Sequence, residues 1–464
     1  MSYLSKNTEK IIEIIDDLNE INGNFNYDYF THSNIKPYYD LIFKLYNNIN
    51  YNIISKNIET IHTIDFCGTF ELLNFLLNNE LINEFKNIEC SKKNTTTLED
   101  ILKTKNKEQC KIWINLHGTL LLRKLFLLKE SQKIPSELIE NLSIIDNDLL
   151  SEFTPFDIIE NLGNSKLIKY TLVIDHNNTK VNLKIISKKV LKKTTLNRIL
   201  RNIFLMISIK KLKTPTVEDI NIILIMTLFK KKIPSIYKIL GPREVNSGVC
   251  IFNTRKILIF RKEENEKLLI HELCHLLNLD FSTVNIPNIT NIVNLNPETE
   301  TRINESVTEI FALIIHSIIV SINLRNKKNY NLGSTLINYE INFNLIQIAK
   351  ILNHYGFNNS KDFFCDYNTN NNNKFKQTTS VFSYFIVKTA CFYNKTQFHN
   401  FLTNNFTDLN YNNKQNALEN YKTLVINSLQ NSEFHSEIDF IMKNLKTKNK
   451  LFLDTLRMTC IEMV

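Results

Sequence analysis

The sequence predicts an α+β fold in which a small mixed sheet packs on a polar-faced helix, flanked by helical N- and C-terminal regions. Three observations carry this expectation. Runs rich in β-branched and aliphatic residues at 167–174, 181–186, 220–227, 248–252 and 256–261 gather in the middle of the chain. A helical pattern around 263–276 follows them directly, with one apolar stripe and one polar sector. The segments on either side repeat apolar residues mostly at helical spacing. The 464 residues thus divide into a helical region at 1–155, a core at 156–325 and a helical region at 326–464. A hydrophobic content of 43% is enough to bury a core in two or three domains.

In chain order, amphipathic helical segments are expected near 8–18, 38–61, 70–85 and 112–129. The isolated His32, His62 and His117 of this region read as structural residues. Asp175-His176-Asn177-Asn178, between the first two β-rich runs, is a hairpin signal, and a helix over 195–210 follows. The run 220–227 reads as a buried strand; 248–252 and 256–261 read as two strands joined by Asn253-Thr254-Arg255. From Tyr330 onward the chain reads as helical again, interrupted by the polar run Asn368-Thr369-Asn370-Asn371-Asn372-Asn373.

The chemistry is concentrated in His271-Glu272-Leu273-Cys274-His275 and Asn304-Glu305-Ser306-Val307-Thr308-Glu309. Histidines four apart share one side of a helix, where both imidazoles reach a single zinc ion about 2.0–2.1 Å from each nitrogen. Glu272 points into the same space and can take a proton from water that attacks a carbonyl. An HExxH arises by chance in about one chain of this size in a hundred, so context must decide. Glu263, Glu264 and Glu266 suit the positive end of the helix, while Leu269, Leu273 and Leu276 form the stripe that faces the core. The remaining ligand of a hydrolytic zinc site is expected at Glu305, on a helix over 300–323. Glu309, one turn on, is placed to orient His271. The apolar stripe of that helix should keep it folded without Glu309. Asp280, five positions after His275, is the alternative third ligand of an aspartate-type site and more simply a turn residue.

Together these residues resemble the gluzincin pattern of zinc metallopeptidases. In that pattern the glutamate after the asparagine is the third zinc ligand, and an acidic residue four positions later holds the first histidine. Glu305 and Glu309 occupy those places. The 29 residues between His275 and Glu305 are more than in the best-known gluzincins, and Glu309 stands where thermolysin-like enzymes have aspartate. The run from Gly241 to Gly248, then 257–264, then HExxH is also similar to zinc metalloproteinases encoded by large DNA viruses of eukaryotes; this likeness covers residues 215–320. A metzincin is excluded because Asn278 and Phe281 stand where glycine and histidine are required.

The resemblance implies a zincin-like core, one Zn2+ per chain held by His271, His275 and Glu305, Glu272 as general base, and a peptide or protein substrate. It also implies that the edge strand, taken as 248–252, pairs with extended substrate backbone. A tyrosine or histidine of the C-terminal region would stabilise the oxyanion, with Tyr384, Lys388, His354 and Tyr355 as candidates. The rival reading is a catalytically silent zincin-derived scaffold, such as a virion or host-factor-binding protein.

The remaining composition restricts other functions. The formal charge of +9 comes from scattered lysines with no basic stripe interleaved with aromatics, so no nucleic-acid partner is expected. Eight single cysteines without a CxxC pair suit reduced thiols and a cytoplasmic setting, host cytoplasm or virion if the chain is viral. Cys274, within the motif, reads as a packed thiol. No secretory signal is read at the N-terminus, and the longest apolar runs, 220–229 and 311–322, are too short to span a bilayer, so no membrane partner is expected.

Overall fold

A computed structural model describes residues 4–22, 27–32, 35–62, 158, 166–281, 286, 289–296, 299, 301–364, 375–445 and 450–464. The helical segments expected at 70–85 and 112–129, and His117, lie outside the described residues. One mixed sheet contains β1 (Asn52–His62), β2 (Lys166–His176), β3 (Thr179–Ser187), β4 (Ile220–Ile225), β5 (Gly248–Ile251) and β6 (Lys256–Ile259), in the order β1-β2-β3-β4-β6-β5. The β1–β2, β2–β3 and β5–β6 pairs are antiparallel, while β3–β4 and β4–β6 are parallel.

Local chemistry explains the connections. The β2–β3 turn places Asn177 and Asn178 at φ 50° and 63°, the left-handed pair that a tight hairpin demands and asparagine tolerates. The parallel β3–β4 step needs a crossover, which α3 (Lys193–Lys211) supplies. Strand alternation then sorts the side chains. Leu183, Ile185, Ile222, Leu224, Ile257 and Ile259 join the main core, and Ile186, Ile223, Ile225, Leu258 and Phe260 form a smaller cluster of their own.

One expectation is corrected here. The segment 38–61, read as helical, is a helix only as α2 (Lys36–Asn47) and then becomes β1, paired along β2. Its Ile-Ile-Ser-Lys-Asn-Ile-Glu-Thr-Ile run alternates imperfectly, and the pairing with β2 contains an irregularity between Ile53 and Ser55.

The main core continues into helices: α1 (Lys6–Asn22), α4 (Asn265–Leu276), α5 (Asn304–Arg325), α6 (Tyr330–His354), a π-helical turn Phe382–Val387 leading into α7 (Lys388–Tyr393), α8 (Lys395–Asn405), α9 (Lys414–Leu429) and α10 (Ser432–Asn444). α5 is apolar on nearly every side because it is enclosed on nearly every side, from Ser306 to Ile322. The apolar run 311–322 reads in sequence as too short to span a bilayer, but the helix that contains it is the only one among the described residues long and apolar enough to cross a membrane; it is almost entirely buried within the chain.

Candidate metal centre

Buried Leu269, Leu273 and Leu276 anchor α4, and this turns His271 and His275 toward the first turn of α5. There Glu305 completes a group. Nε2 of His275 is 3.1 Å from Nε2 of His271; Glu305 Oε2 lies 3.2 Å from His275 Nε2 and 3.3 Å from His271 Nε2. Among the described residues, these three form the one group of His, Cys, Asp or Glu donors close enough to hold a metal ion. Two ligands of a tetrahedral zinc stand about 3.3 Å apart, given bonds of about 2.0–2.1 Å. The observed separations match that.

The far side of each ring carries a carboxylate. His271 Nδ1 is 2.8 Å from Glu309 Oε1, an approach too bent for a linear hydrogen bond, and His275 Nδ1 pairs with Asp280. With Nδ1 of each ring turned to its carboxylate, both rings present Nε2 to Glu305. Two Nε2 atoms and a carboxylate oxygen thus converge at a spacing that suits a metal cation.

Burial opposes charge on both imidazoles, yet their carboxylate partners outweigh it: both titrate above the ordinary range, His275 well above. Burial also opposes charge on Glu305, and the two histidines reverse it, holding this carboxylate below its ordinary range.

Behind Glu309 stand two cations that the sequence reading did not assign to it. Lys267 pairs with Oε1, and Lys388 Nζ lies 3.2 Å from Oε2, with all three side chains buried. Burial pushes the Glu309 pKa up, but these lysines overcome it and hold the group well below the ordinary carboxylate range. Burial in turn brings Lys388 down to about 8, against the pull of Glu309. Lys388, a candidate for the oxyanion, is therefore engaged behind His271. Lys267 could have been found from its place one turn before His271 on the same helix.

Asp280 stands behind the donor set, not in it. It meets His275 and accepts a hydrogen bond of 2.8 Å from Thr308 Oγ1, so a hydroxyl of the second motif fixes the orientation of the second histidine. His354 Nε2 donates to the Lys238 carbonyl at 2.7 Å, and Tyr355 Oη accepts from Leu240 N at 3.1 Å and donates to the Lys376 carbonyl. Neither is among the residues that surround the donors. Tyr384 is: its ring centroid is 6.0 Å from that of His271. It lies on the π-helical turn, a geometry that shifts side chains out of helical register and recurs at functional sites. Burial, then Glu305, Glu272 and Glu309, push its phenol well above the ordinary value and keep it a neutral donor.

Glu272 is buried, and burial is the main cause that raises its pKa. It touches the edge strand. A Cβ placed on Gly248 would lie 3.1 Å from Glu272 Oε1 and 3.0 Å from the Leu258 carbonyl, so a side chain here would require the carboxylate or the strand to give by a few tenths of an ångström. Upstream, Arg261 holds that strand's approach through the carbonyls of Asn246, at 2.9 Å, and Arg243. Thr379 Oγ1 donates to Asn246 Oδ1 at 2.7 Å and ties it to the segment that leads into the π-helical turn. Cys274 is fully buried, and burial drives its thiol well above the ordinary range. Comparison of the chain with protein-family models, with curated proteins and with solved structures gave no match.

Proposed function

We propose that this chain is a zinc-dependent metallopeptidase with a zincin-like core of gluzincin type, in which His271, His275 and Glu305 hold one zinc ion. The observation that carries the reading is the convergence of two Nε2 atoms and a carboxylate oxygen at tetrahedral-ligand spacing, with Glu272 on the same helix. The donor set suits zinc, which accepts nitrogen and carboxylate ligands and, held by three of them, keeps a position open. Bound there, zinc supplies Lewis acidity toward a carbonyl oxygen and toward water.

The chain's own residues do the rest. Glu272, with its raised pKa, is the base that takes a proton from the attacking water and returns it to the departing amine. Tyr384 donates a hydrogen bond from its neutral phenol to the oxygen on which charge develops. Asp280 and Glu309 keep both rings turned so that Nε2 faces the centre. β5, an edge strand next to Glu272, offers backbone groups to an extended peptide.

Metal analysis of the purified protein and a digest of an unbiased peptide library test this together. About one zinc per chain is expected, with cleavage that a chelator abolishes. Zinc binding without cleavage would leave a silent metal-holding scaffold, and the absence of zinc would reject the reading altogether.

A further inference from the structure

We propose that the loops 187–193 and 228–239 form a docking surface for an anionic membrane leaflet, which the chain meets from one side without crossing. Neither segment contains an aspartate or glutamate. Together they present five of the eleven large apolar side chains left exposed among the described residues: Val190 at 74%, Leu228 at 62%, Ile236 at 68%, Tyr237 at 69% and Ile239 at 46%. Exposed Lys189, Lys192, Lys230, Lys232 and Lys238 are interleaved with them. Single exposed apolar residues are ordinary on a protein surface, whereas a cluster ringed by one sign of charge marks an interaction face.

The two loops are neighbours in space. They meet around a cavity of about 560 Å³, and the second loop also lines an adjoining cavity of about 750 Å³ that shares Leu228, Phe229 and Lys230. The second loop is pinned by Lys231 and by its backbone while its apolar side chains stay outside. Lys231 turns inward to Glu264 at 2.8 Å, and Ile233 N donates to the Asp454 carbonyl at 2.7 Å. Tyr237 N donates to the His354 carbonyl at 3.1 Å, and His354 Nε2 returns to the Lys238 carbonyl at 2.7 Å. Tyr237 itself has φ 64°, a left-handed backbone that is costly for a bulky residue and persists only where the surroundings impose it. Its ring packs on Gly356, where a Cβ would stand 2.7 Å from Tyr237 Cε1. Backbone energy is thus spent on holding an aromatic side chain at the surface.

The composition of the face favours lipid over protein. All of its exposed cations are lysines, the residue depleted from protein interfaces where arginine is enriched. Lysines around aliphatic and tyrosine side chains are suited to a diffuse negative surface potential and to the headgroup boundary. Carboxylates also line the cavities: Glu264 pairs with Lys231 at 2.8 Å and Glu266 with Arg198 at 3.0 Å, Glu263 accepts from Lys231 N, Glu244 accepts from Gly241 N at 3.1 Å, Glu462 meets Arg457 at 3.2 Å, and Asp454 is exposed beside the second loop. Neither loop contributes to the metal donors, so the inference stands apart from the proposed chemistry.

Vesicle sedimentation of the full chain tests it, with phosphatidylcholine vesicles compared with vesicles that also contain phosphatidylserine. Binding is expected only with phosphatidylserine, and it should fall as salt rises. Each of Lys189→Glu and Lys230→Glu should weaken it by at least roughly fivefold, and Val190→Ser with Ile236→Ser should weaken it without changing the salt dependence. Thermal unfolding verifies that the variants fold, and Ile53→Ser with Ile58→Ser, exposed elsewhere, serves as the control and should leave binding unchanged. Absence of binding, equal binding to both vesicles, or equal weakening by the control pair overturns the proposal. Retention by an acidic protein without vesicle binding would assign the face to a protein partner and overturn it as well.

Discussion

Glu309 meets His271, Lys267 and Lys388 at once, all in the interior. Its removal therefore does two things. Glu309→Ala frees His271 to turn, with an expected loss of roughly 10- to 100-fold in zinc affinity. It also leaves two buried ammonium groups without their carboxylate, a loss on the order of 3–5 kcal/mol. The expectation that the apolar stripe of α5 suffices to protect stability is thereby revised. Denaturant unfolding of the metal-free variant measures the second effect and chelator competition the first; wild-type stability would show that the lysines do not depend on Glu309. Asp280→Asn should also weaken zinc binding by roughly 10- to 100-fold through His275, but less than Glu305→Ala, which deletes a donor. Glu272→Gln removes the base and leaves the donors in place. Zinc content should persist while peptide hydrolysis falls by about 10²–10⁴-fold, and unchanged turnover in that variant would eliminate Glu272 as the base.

At the scale of elements, β5 approaches Glu272 of α4 at a residue without a side chain. Gly248→Val would press β-branched atoms against Glu272 Oε1 and the Leu258 carbonyl. The donors sit on α4 and α5, so zinc should be retained, while hydrolysis should fall because either the carboxylate or the edge strand must shift. If Gly248→Val turned over peptides as the wild type does, the close contact would have no functional part. Much of this geometry is legible in local sequence. The HExxH spacing, the leucine stripe of α4 and the Asn-Asn hairpin each follow from a period or a turn preference confined to a few residues. β1 was not legible, because a strand with mostly exposed side chains has little periodicity, and its partner β2 lies more than a hundred residues away.

For the whole molecule, residues 455–464 bear on the helix that carries both histidines. Glu264, at the start of α4, accepts hydrogen bonds from the backbone of Met458 and, at 2.7 Å, of Thr459, and pairs with buried Lys231 at 2.8 Å. Thus 455–464 is fastened to the helix that carries both histidines. Burial raises the pKa of Glu264, but Lys231, Arg457 and Lys267 outweigh it and hold it below 4.5. A depressed carboxylate contributes stability above its unfolded pKa and loses it as pH falls through the folded one. Glu264→Gln should therefore be less stable than wild type by on the order of 3–5 kcal/mol near neutral pH. The gap should close as pH falls below about 4.5. Unfolding midpoints of both proteins across that range measure it, and a gap that stays constant into acid would exclude the ionised pair as its source.

The sequence by itself determined the residues of the donor group, because helical spacing puts His271, Glu272 and His275 on one side and Glu305 and Glu309 one turn apart. It also determined most of the central strands, whose alternation is local. Only the tertiary structure decided what stands behind those residues. Lys267 and Lys388 look in sequence like any solvated lysine, Asp280 like a turn residue, and Thr308 like a neutral helical position. Each acquires its partner only when α4, α5 and α7 pack together and burial removes water as the competing one, so that charge and hydrogen bonding must be satisfied within the chain.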